Sequence, residues 1–558
     1  MRFSSRSPML ALCVALSLSG FGSTATAQLV PNSSGIRYDL SNEIFHPVRA
    51  KHGMVASEQR LASQVGVEVL KRGGNAVDAA VAVGFALAVV LPNAGNLGGG
   101  GFMVVHDAKT GKNVTLDFRE MAPAAASRNM YLDANGKVVE GRSTYSALAV
   151  GVPGTVAGLT HALAKYGSMS LADVIKPAKR LAEVGFPVSA QLAALLQADK
   201  AHLAAWPSST AIFFKGDEPL HEGDLLRQPD LARSLGLIAK QGAKAFYEGL
   251  IADQIVDEMQ RNKGILTKSD LKAYKVIERE PVQGEYRGYH IVSMPPPSSG
   301  GVHLVQMLKL LERFDLKSMG AGSARAIHLE AEAMKLAFAD RSEYLGDPDF
   351  VKVPVKGLTS KAYADELAKG IDSAHARQSV SIKPGKPQRF DETPKTPQAG
   401  SAPQGGAESS GRPVAIFDIA PKTPQTGSAP QGGAESSGRP VAFYESDQTT
   451  HYSVADKAGN VVAVTYTLNL NFGSGLVAKG SGILLNNEMD DFAAKPGVAN
   501  AYGLIGGDAN AVGPGKRPLS SMSPTIVLKG GKPWLVTGSP GGSRIITTTL
   551  QTIINSID

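Results

Sequence analysis

From Ala76 to Leu91 the chain is apolar on nearly every side of a helical wheel. A helix without a polar face has to sit between other layers, and this one is too short to span a bilayer. Asn75 is placed to cap its start, and Pro92 ends it. The stretch before it, KHGMVASEQRLASQVGVEVLKRGG at 51–74, reads as a short strand and an amphipathic helix closed by Gly73-Gly74. A fully buried helix in this setting predicts a layered architecture.

GNLGGGGFMVVHD follows, with Gly98 to Gly101 feeding a strand over Phe102 to His106. The run lacks the Gly-Lys-Ser/Thr ending of a phosphate loop and enters a strand where such a loop opens a helix. A tight turn under close backbone packing is the expected role. VTLDFREMAP at 114–123 then places Arg119 just after a strand. Mixed α and β sequence continues to about Ala374, with its clearest helix over Ala324 to Tyr344. His328 and Glu332 share one face of that helix while Glu330 points away, so two ligands converge there and no metal site is expected.

Residues 383–442 change character, being rich in Pro, Gly, Ser, Gln and Ala, and read as a disordered linker. Within it PKTPQAGSAPQGGAESSGRPVA at 394–415 recurs at 421–442, with Ala399 and Thr426 the one difference. Two polar copies cannot build a stacked solenoid, and a solvated spacer is favoured over a polyproline ligand.

Arg2 and Arg6, the apolar run Met9 to Leu18 and Ala25-Thr26-Ala27 form a secretory leader over residues 1–27. The expected location is therefore periplasmic or secreted, with no membrane anchor. Cys13, the only cysteine, falls inside that leader, which excludes cysteine nucleophiles, disulfides and cysteine metal sites from the mature protein. Loss of Arg2 and Arg6 takes the net charge from +7 to about +5. The basic residues are dispersed and aromatics sparse, so no nucleic-acid platform is expected.

ESDQTTHYS at 445–453 opens a β-hairpin: His451 to Asp456, a Lys-Ala-Gly-Asn turn, then Val461 to Asn469. In its second strand Thr465, Thr467 and Asn469 share one face, while Val462, Val464 and Tyr466 share the packing face. Adjacent Thr449 and Thr450 at its start read first as β-branched filler. A cut before Thr449 changes that, because the freed α-amine, with a pKa near 8, serves as general base to the hydroxyl of the same residue.

The stretches QTTHYSVAD, VAVTYTLN, GILLNNEMDDF, GDANAVGPGKRPLSSMSPTIV and TGSPGGSRI closely resemble the γ-glutamyltransferases, or glutathione hydrolases, of the N-terminal-nucleophile superfamily. AKHGMVASE, GGNAVDAAVA, GNLGGGGFM, LDFREMAP, YRGY, MPPPSSGG and DRSEYLGDPDFV extend the resemblance over most of the chain. It implies an α+β fold, a four-layer αββα sandwich, and a precursor that cuts itself between Gln448 and Thr449. The products are a large subunit, 28–448, and a small catalytic subunit, 449–558, paired as a heterodimer. Members continue beyond the point matching Asp558, so the small subunit is expected to be C-terminally incomplete.

The implied activity transfers the γ-glutamyl group of glutathione and related compounds to water or to amino acid and peptide acceptors, without a cofactor or metal. By match to the family's motifs, Thr449 is the nucleophile and amine base, Thr467 orients it, and the N–H groups of Gly541 and Gly542 form the oxyanion hole. Arg119, Ser520 and Ser521 match the donor's carboxylate site, Asn469, Glu488 and Asp491 its ammonium site, and Tyr502 a lid, with Asp490 a structural helper. Runner-up readings are a related acylase acting on glutaryl-β-lactams or polyglutamate, an inactive unprocessed precursor, and a secreted binding protein.

Overall fold

In a computed structural model, which describes residues 48–391 and 448–558, the apolar helix is α2 (Ala76–Val90), and all its residues are buried. Its start is a capping box: the Asn75 side chain accepts from the Val77 and Asp78 amides, and Asp78 accepts from the Asn75 N–H. Strand β1 (Gly53–Ser57) and helix α1 (Arg60–Lys71) precede it, and β2 (Gly100–Asp107) and β3 (Lys112–Phe118) follow. Later elements are β4 (Ile277–Arg279), β5 (Val282–Tyr286), β6 (Tyr289–Ser293), α3 (Gly300–Leu311) and α4 (Ala324–Tyr344). After the duplicated segment, which lies with the leader outside the described residues, come β7 (Thr450–Asp456), β8 (Val461–Thr467), β9 (Thr525–Lys529), β10 (Lys532–Thr537) and α5 (Ile545–Ile557).

Six strands form one antiparallel sheet in the order β1-β7-β8-β2-β3-β4, and four form a second in the order β10-β9-β6-β5. Val104, Val461 and Ala463 of the first sheet pack against Val292, Ile526 and Leu528 of the second. Helices α1 and α2 cover the outer face of the first, where the Tyr466 hydroxyl donates to the Gly84 carbonyl at 2.9 Å. Helices α3, α4 and α5 cover the second: Leu304, Ala333, Ile546 and Leu550 join Ile291 and Val527 in one cluster. Each sheet is thus buried on both faces, giving four αββα layers.

The polyglycine run is a packing device. Gly100 and Gly101 pair with Thr467 and Tyr466 across β2 and β8, and a Cβ on Gly99 would overlap the Thr467 carbonyl. That closeness lets the end of β8 settle against β2.

Two expectations need correction. Strand β8 ends at Thr467, and Asn469, expected on its polar face, lies beyond it at φ 82°. Both faces of β8 are buried because sheet packs on one and helices on the other. Residues 383–391, expected as the first part of the linker, belong to the folded body, where Pro387–Phe390 forms a turn of 3-10 helix. There the Gly385 N–H donates to Asp340 at 2.8 Å, its carbonyl accepts from Tyr344 at 2.6 Å, and Phe390 packs on Tyr363.

Gly99→Ala is expected to cost about 3 kcal/mol, the upper end for overpacking a site bounded by backbone. Thermal unfolding beside the unaltered protein checks this, and an unchanged midpoint would refute the packing role.

Candidate active site

Thr450 pairs with Tyr466, so the residue before it falls opposite Thr467. The Thr449 hydroxyl donates to Thr467 Oγ1 at 3.2 Å, and the Asn469 N–H donates to the same oxygen at 2.8 Å. Thr467 in turn donates to the Gln448 carbonyl at 2.9 Å. A hydroxyl has one proton and two lone pairs: Thr449 and Asn469 take the lone pairs, and the proton goes to the Gln448 carbonyl, nearer than the Asn469 carbonyl at 3.4 Å, which fixes the Thr467 side chain. The left-handed turn at Asn469 makes this possible by returning its N–H to Thr467, while its side chain donates to the Asn487 carbonyl at 3.0 Å.

Arg119, just past β3, is fully buried. Its Nη1 pairs with Glu488, its Nη2 meets Asp491 at 2.5 Å and its Nε donates to the Pro518 carbonyl at 3.2 Å. The two carboxylates come from one turn of 3-10 helix, Glu488–Asp491. Burial opposes the Arg119 charge, but Glu488 and Asp491 outweigh it and hold the guanidinium above its ordinary pKa.

Glu120 follows and was not singled out from the sequence. It is fully buried 3.7 Å from Arg119, and among the described residues neither of its oxygens, nor Oε2 of Glu488, has a hydrogen-bond partner. Burial pushes the Glu120 carboxyl up to about 7 against the pull of Arg119, and raises Glu488 well above the usual carboxylate range. Both shifts have one cause, the burial of neighbouring carboxyls around a single guanidinium, which disfavours their charged forms. An acidic residue beside Arg119 was visible in LDFREMAP, but nothing in the sequence marked it as buried.

The segment before β9 contributes Ser520 and Ser521. Ser520 Oγ accepts from the Met522 N–H at 3.1 Å, and Ser521 Oγ accepts from Arg341 at 3.2 Å. At the foot of α5, Gly541 and Gly542 have φ of 119° and 56°. Among the described residues neither N–H is taken by a carbonyl. Tyr502 lies against Gly542, where a Cβ would overlap its ring, and its hydroxyl donates to the Asn469 carbonyl.

Arg119, Thr449, Thr467, Asn469, Glu488, Asp491, Tyr502, Ser520, Ser521 and Gly542 line one cavity of about 20 Å³, room for little more than one water. Gly541 is adjacent to it without lining it. Asp490 faces elsewhere, accepting from Ser143 at 2.6 Å and the Ala501 N–H at 3.0 Å, and thereby braces the Tyr502 segment. His328 and Glu332 on α4 take separate partners, the Asp372 carbonyl for the first and Lys335 with Arg377 for the second. Among the described residues no cluster of metal-ligating side chains occurs.

The layered fold is that of the N-terminal-nucleophile hydrolases. It resembles the crystal structure of cephalosporin acylase from Bacillus halodurans, with a TM-score of 0.73 and 27% identity over 94% of this chain and 84% of that one. It also resembles Helicobacter pylori gamma-glutamyltranspeptidase, with a TM-score of 0.60 and 51% identity over 61% of this chain and 97% of that one. The gamma-glutamyltranspeptidase family model matches residues 62–558, and the chain belongs to that family. Its relatives include the glutathione hydrolase proenzyme of Escherichia coli (strain K12), 55% identical over 96% of this chain and 83% of that protein. Another is the acylase ACY 1 proenzyme of Pseudomonas sp. (strain SE83), 37% identical over 92% of this chain and 80% of that protein.

Because Glu120 is harder to ionise in the folded protein than in the unfolded chain, its ionisation lowers stability as pH rises from about 4.5 through about 7. Glu120→Gln removes that loss. Thermal midpoints at pH 4.5 and pH 8 are expected to fall further apart in the unaltered protein than in the variant.

Proposed function

We infer that this chain is a self-processing γ-glutamyltransferase and glutathione hydrolase whose nucleophile is Thr449. The observation that carries the reading is the Gln448–Thr449–Thr467 arrangement beside the Arg119 cluster. In the uncut chain Thr449 Oγ1 attacks the Gln448 carbonyl carbon. Its proton passes to Thr467, whose own proton passes to the carbonyl oxygen. The adduct collapses with cleavage of the C–N bond, the Thr449 nitrogen takes a proton, and Gln448 is left as an ester. Water hydrolyses the ester, and Thr449 becomes the N-terminus of a small subunit that stays paired with the large one.

The free amine then takes the Thr449 hydroxyl proton. Oγ1 attacks the γ-carbonyl of a donor such as glutathione, with the Gly541 and Gly542 N–H groups facing the oxyanion. The leaving amine departs protonated, and water or the amine of an amino acid or peptide acceptor resolves the γ-glutamyl ester.

Donor recognition follows from charge. Arg119 and its carboxylates already compensate one another. A zwitterionic glutamyl head can enter without leaving a buried charge unpaired, its carboxylate going to Arg119, Ser520 and Ser521 and its ammonium to Asn469, Glu488 and Asp491. Tyr502 has to move for it to enter, because the closed cavity is far smaller than the donor. An acylase reading is less favoured, because a glutaryl chain has no ammonium to replace Arg119 at Glu488 and Asp491. The leader motif supports a periplasmic or secreted location, and among the described residues no helix is long and apolar enough to cross a membrane.

Thr449→Ala is expected to release no product from a γ-glutamyl anilide and to yield no fragment beginning at residue 449 by mass spectrometry. Arg119→Ala should lower kcat/KM roughly 100-fold, the effect of about 3 kcal/mol lost at a buried charge contact. Full activity in Arg119→Ala would sink the substrate assignment.

A further inference from the structure

The buried arginines among the described residues are Arg119, Arg341 and Arg517. Arg119 grips Glu488 and Asp491, and Arg517 grips Asp117. Arg341, on α4, differs. Its hydrogen bonds to described residues go to neutral oxygens: Nε donates to Ser299 Oγ at 3.0 Å and Nη2 to Ser521 Oγ at 3.2 Å. Burial depresses the Arg341 guanidinium to about 10, with Asp491 pulling the other way from a distance. A buried cation without an anion in contact is costly, and it becomes favourable when an anion arrives nearby.

The hydrogen bonds around it have one direction. Arg341 donates to Ser299, and Ser299 Oγ donates to the Ser520 carbonyl at 2.7 Å. The Ser299 N–H reaches that same carbonyl at 2.8 Å, and Ser298 Oγ donates to the Met522 carbonyl at 2.6 Å. Both hydroxyls facing the cavity accept from behind, Ser520 from the Met522 N–H and Ser521 from Arg341. With a lone pair of each so occupied, the Ser520 and Ser521 protons are available to an acceptor in the cavity. A hydroxyl that accepts from a cation is also a stronger donor.

We propose that Arg341 is a positioning and specificity residue for the donor's α-carboxylate, acting through Ser521 and, by way of Ser299, through the Ser520 backbone. The proposal rests on the γ-glutamyl reading above. It gives MPPPSSGG a purpose, since Ser298 and Ser299 anchor the serine segment. The carboxylate then supplies the nearby anion that Arg341 lacks, one hydroxyl away.

The test is steady-state hydrolysis of a γ-glutamyl anilide by Arg341→Met, Arg341→Lys, Ser521→Ala and the Arg341→Met/Ser521→Ala pair, each confirmed as cleaved before Thr449. Arg341→Met is expected to raise KM about 10-fold with kcat within about threefold, and Arg341→Lys to recover part of the loss. In the Ser521→Ala background the KM penalty of Arg341→Met should shrink several-fold, to the part carried through Ser299 and the Ser520 backbone. A penalty of the same size in both backgrounds, or a loss confined to kcat, would overturn the proposal. If Arg341→Met does not mature, Arg341→Lys and its pair with Ser521→Ala carry the same comparison. Failure of both Arg341 variants to mature would overturn the proposal in favour of a folding role. An unaltered protein that matures yet leaves the anilide intact would instead sink the γ-glutamyl reading.

Discussion

Arg119 carries a full charge with no exposure to solvent, and the organisation of the site follows from the need to balance it. Most of the balance is drawn from distant parts of the chain: the turn at Glu488–Asp491 supplies two carboxylates and Pro518 a carbonyl, while the adjacent Glu120 brings a third carboxyl to the same nitrogen that Glu488 meets. Because the cluster ties the end of β3 to the segments before and after Tyr502, it is a structural joint as well as a binding site. On the proposed reading, a ligand that enters brings both signs of charge, and the cavity would select an amino acid head group on electrostatic grounds.

Thr467 serves as a second, smaller joint. Its hydroxyl is held by Thr449, Asn469 and Gln448, so the arrangement that steadies the proposed nucleophile also polarises the carbonyl beside it. In the proposed mechanism the same atoms serve the cut and the later acyl transfer, and chemistry imposes the order: until the Gln448 bond is broken, the Thr449 nitrogen is an amide and cannot act as a base. Tyr502, bonded to the Asn469 carbonyl and seated on Gly542, links the closed cavity to this joint.

The helices were legible wherever periodicity or uniform burial left a pattern. Helix α4 runs from Ala324 to Tyr344 as read, and α2 is capped by Asn75 as read. Asn469 was misplaced because alternation along β8 carries no sign of a left-handed turn two residues past its end. Residues 383–391 were read as linker from composition, yet a glycine and a phenylalanine there find partners in Asp340 and Tyr363. Arg119, Glu488 and Asp491 entered through resemblance to a family, since each alone reads as an ordinary surface charge. Glu120 and Arg341 were missed because burial of a charge is a property of what surrounds it.

By itself the sequence determined the buried helix, the glycine run that lets β2 and β8 close up, the hairpin that follows Thr449 and the motifs that relate the chain to its family. These are local patterns, dictated by side-chain period, glycine and capping chemistry. Only the tertiary structure decided that Arg119 is neutralised by Glu488 and Asp491 before any ligand arrives, that the Thr467 hydroxyl points at the Gln448 carbonyl, and that Arg341 stands behind Ser521. Those facts depend on which distant segments share a dry interior, where hydrogen bonds and charges have to be satisfied by whatever the fold brings within reach.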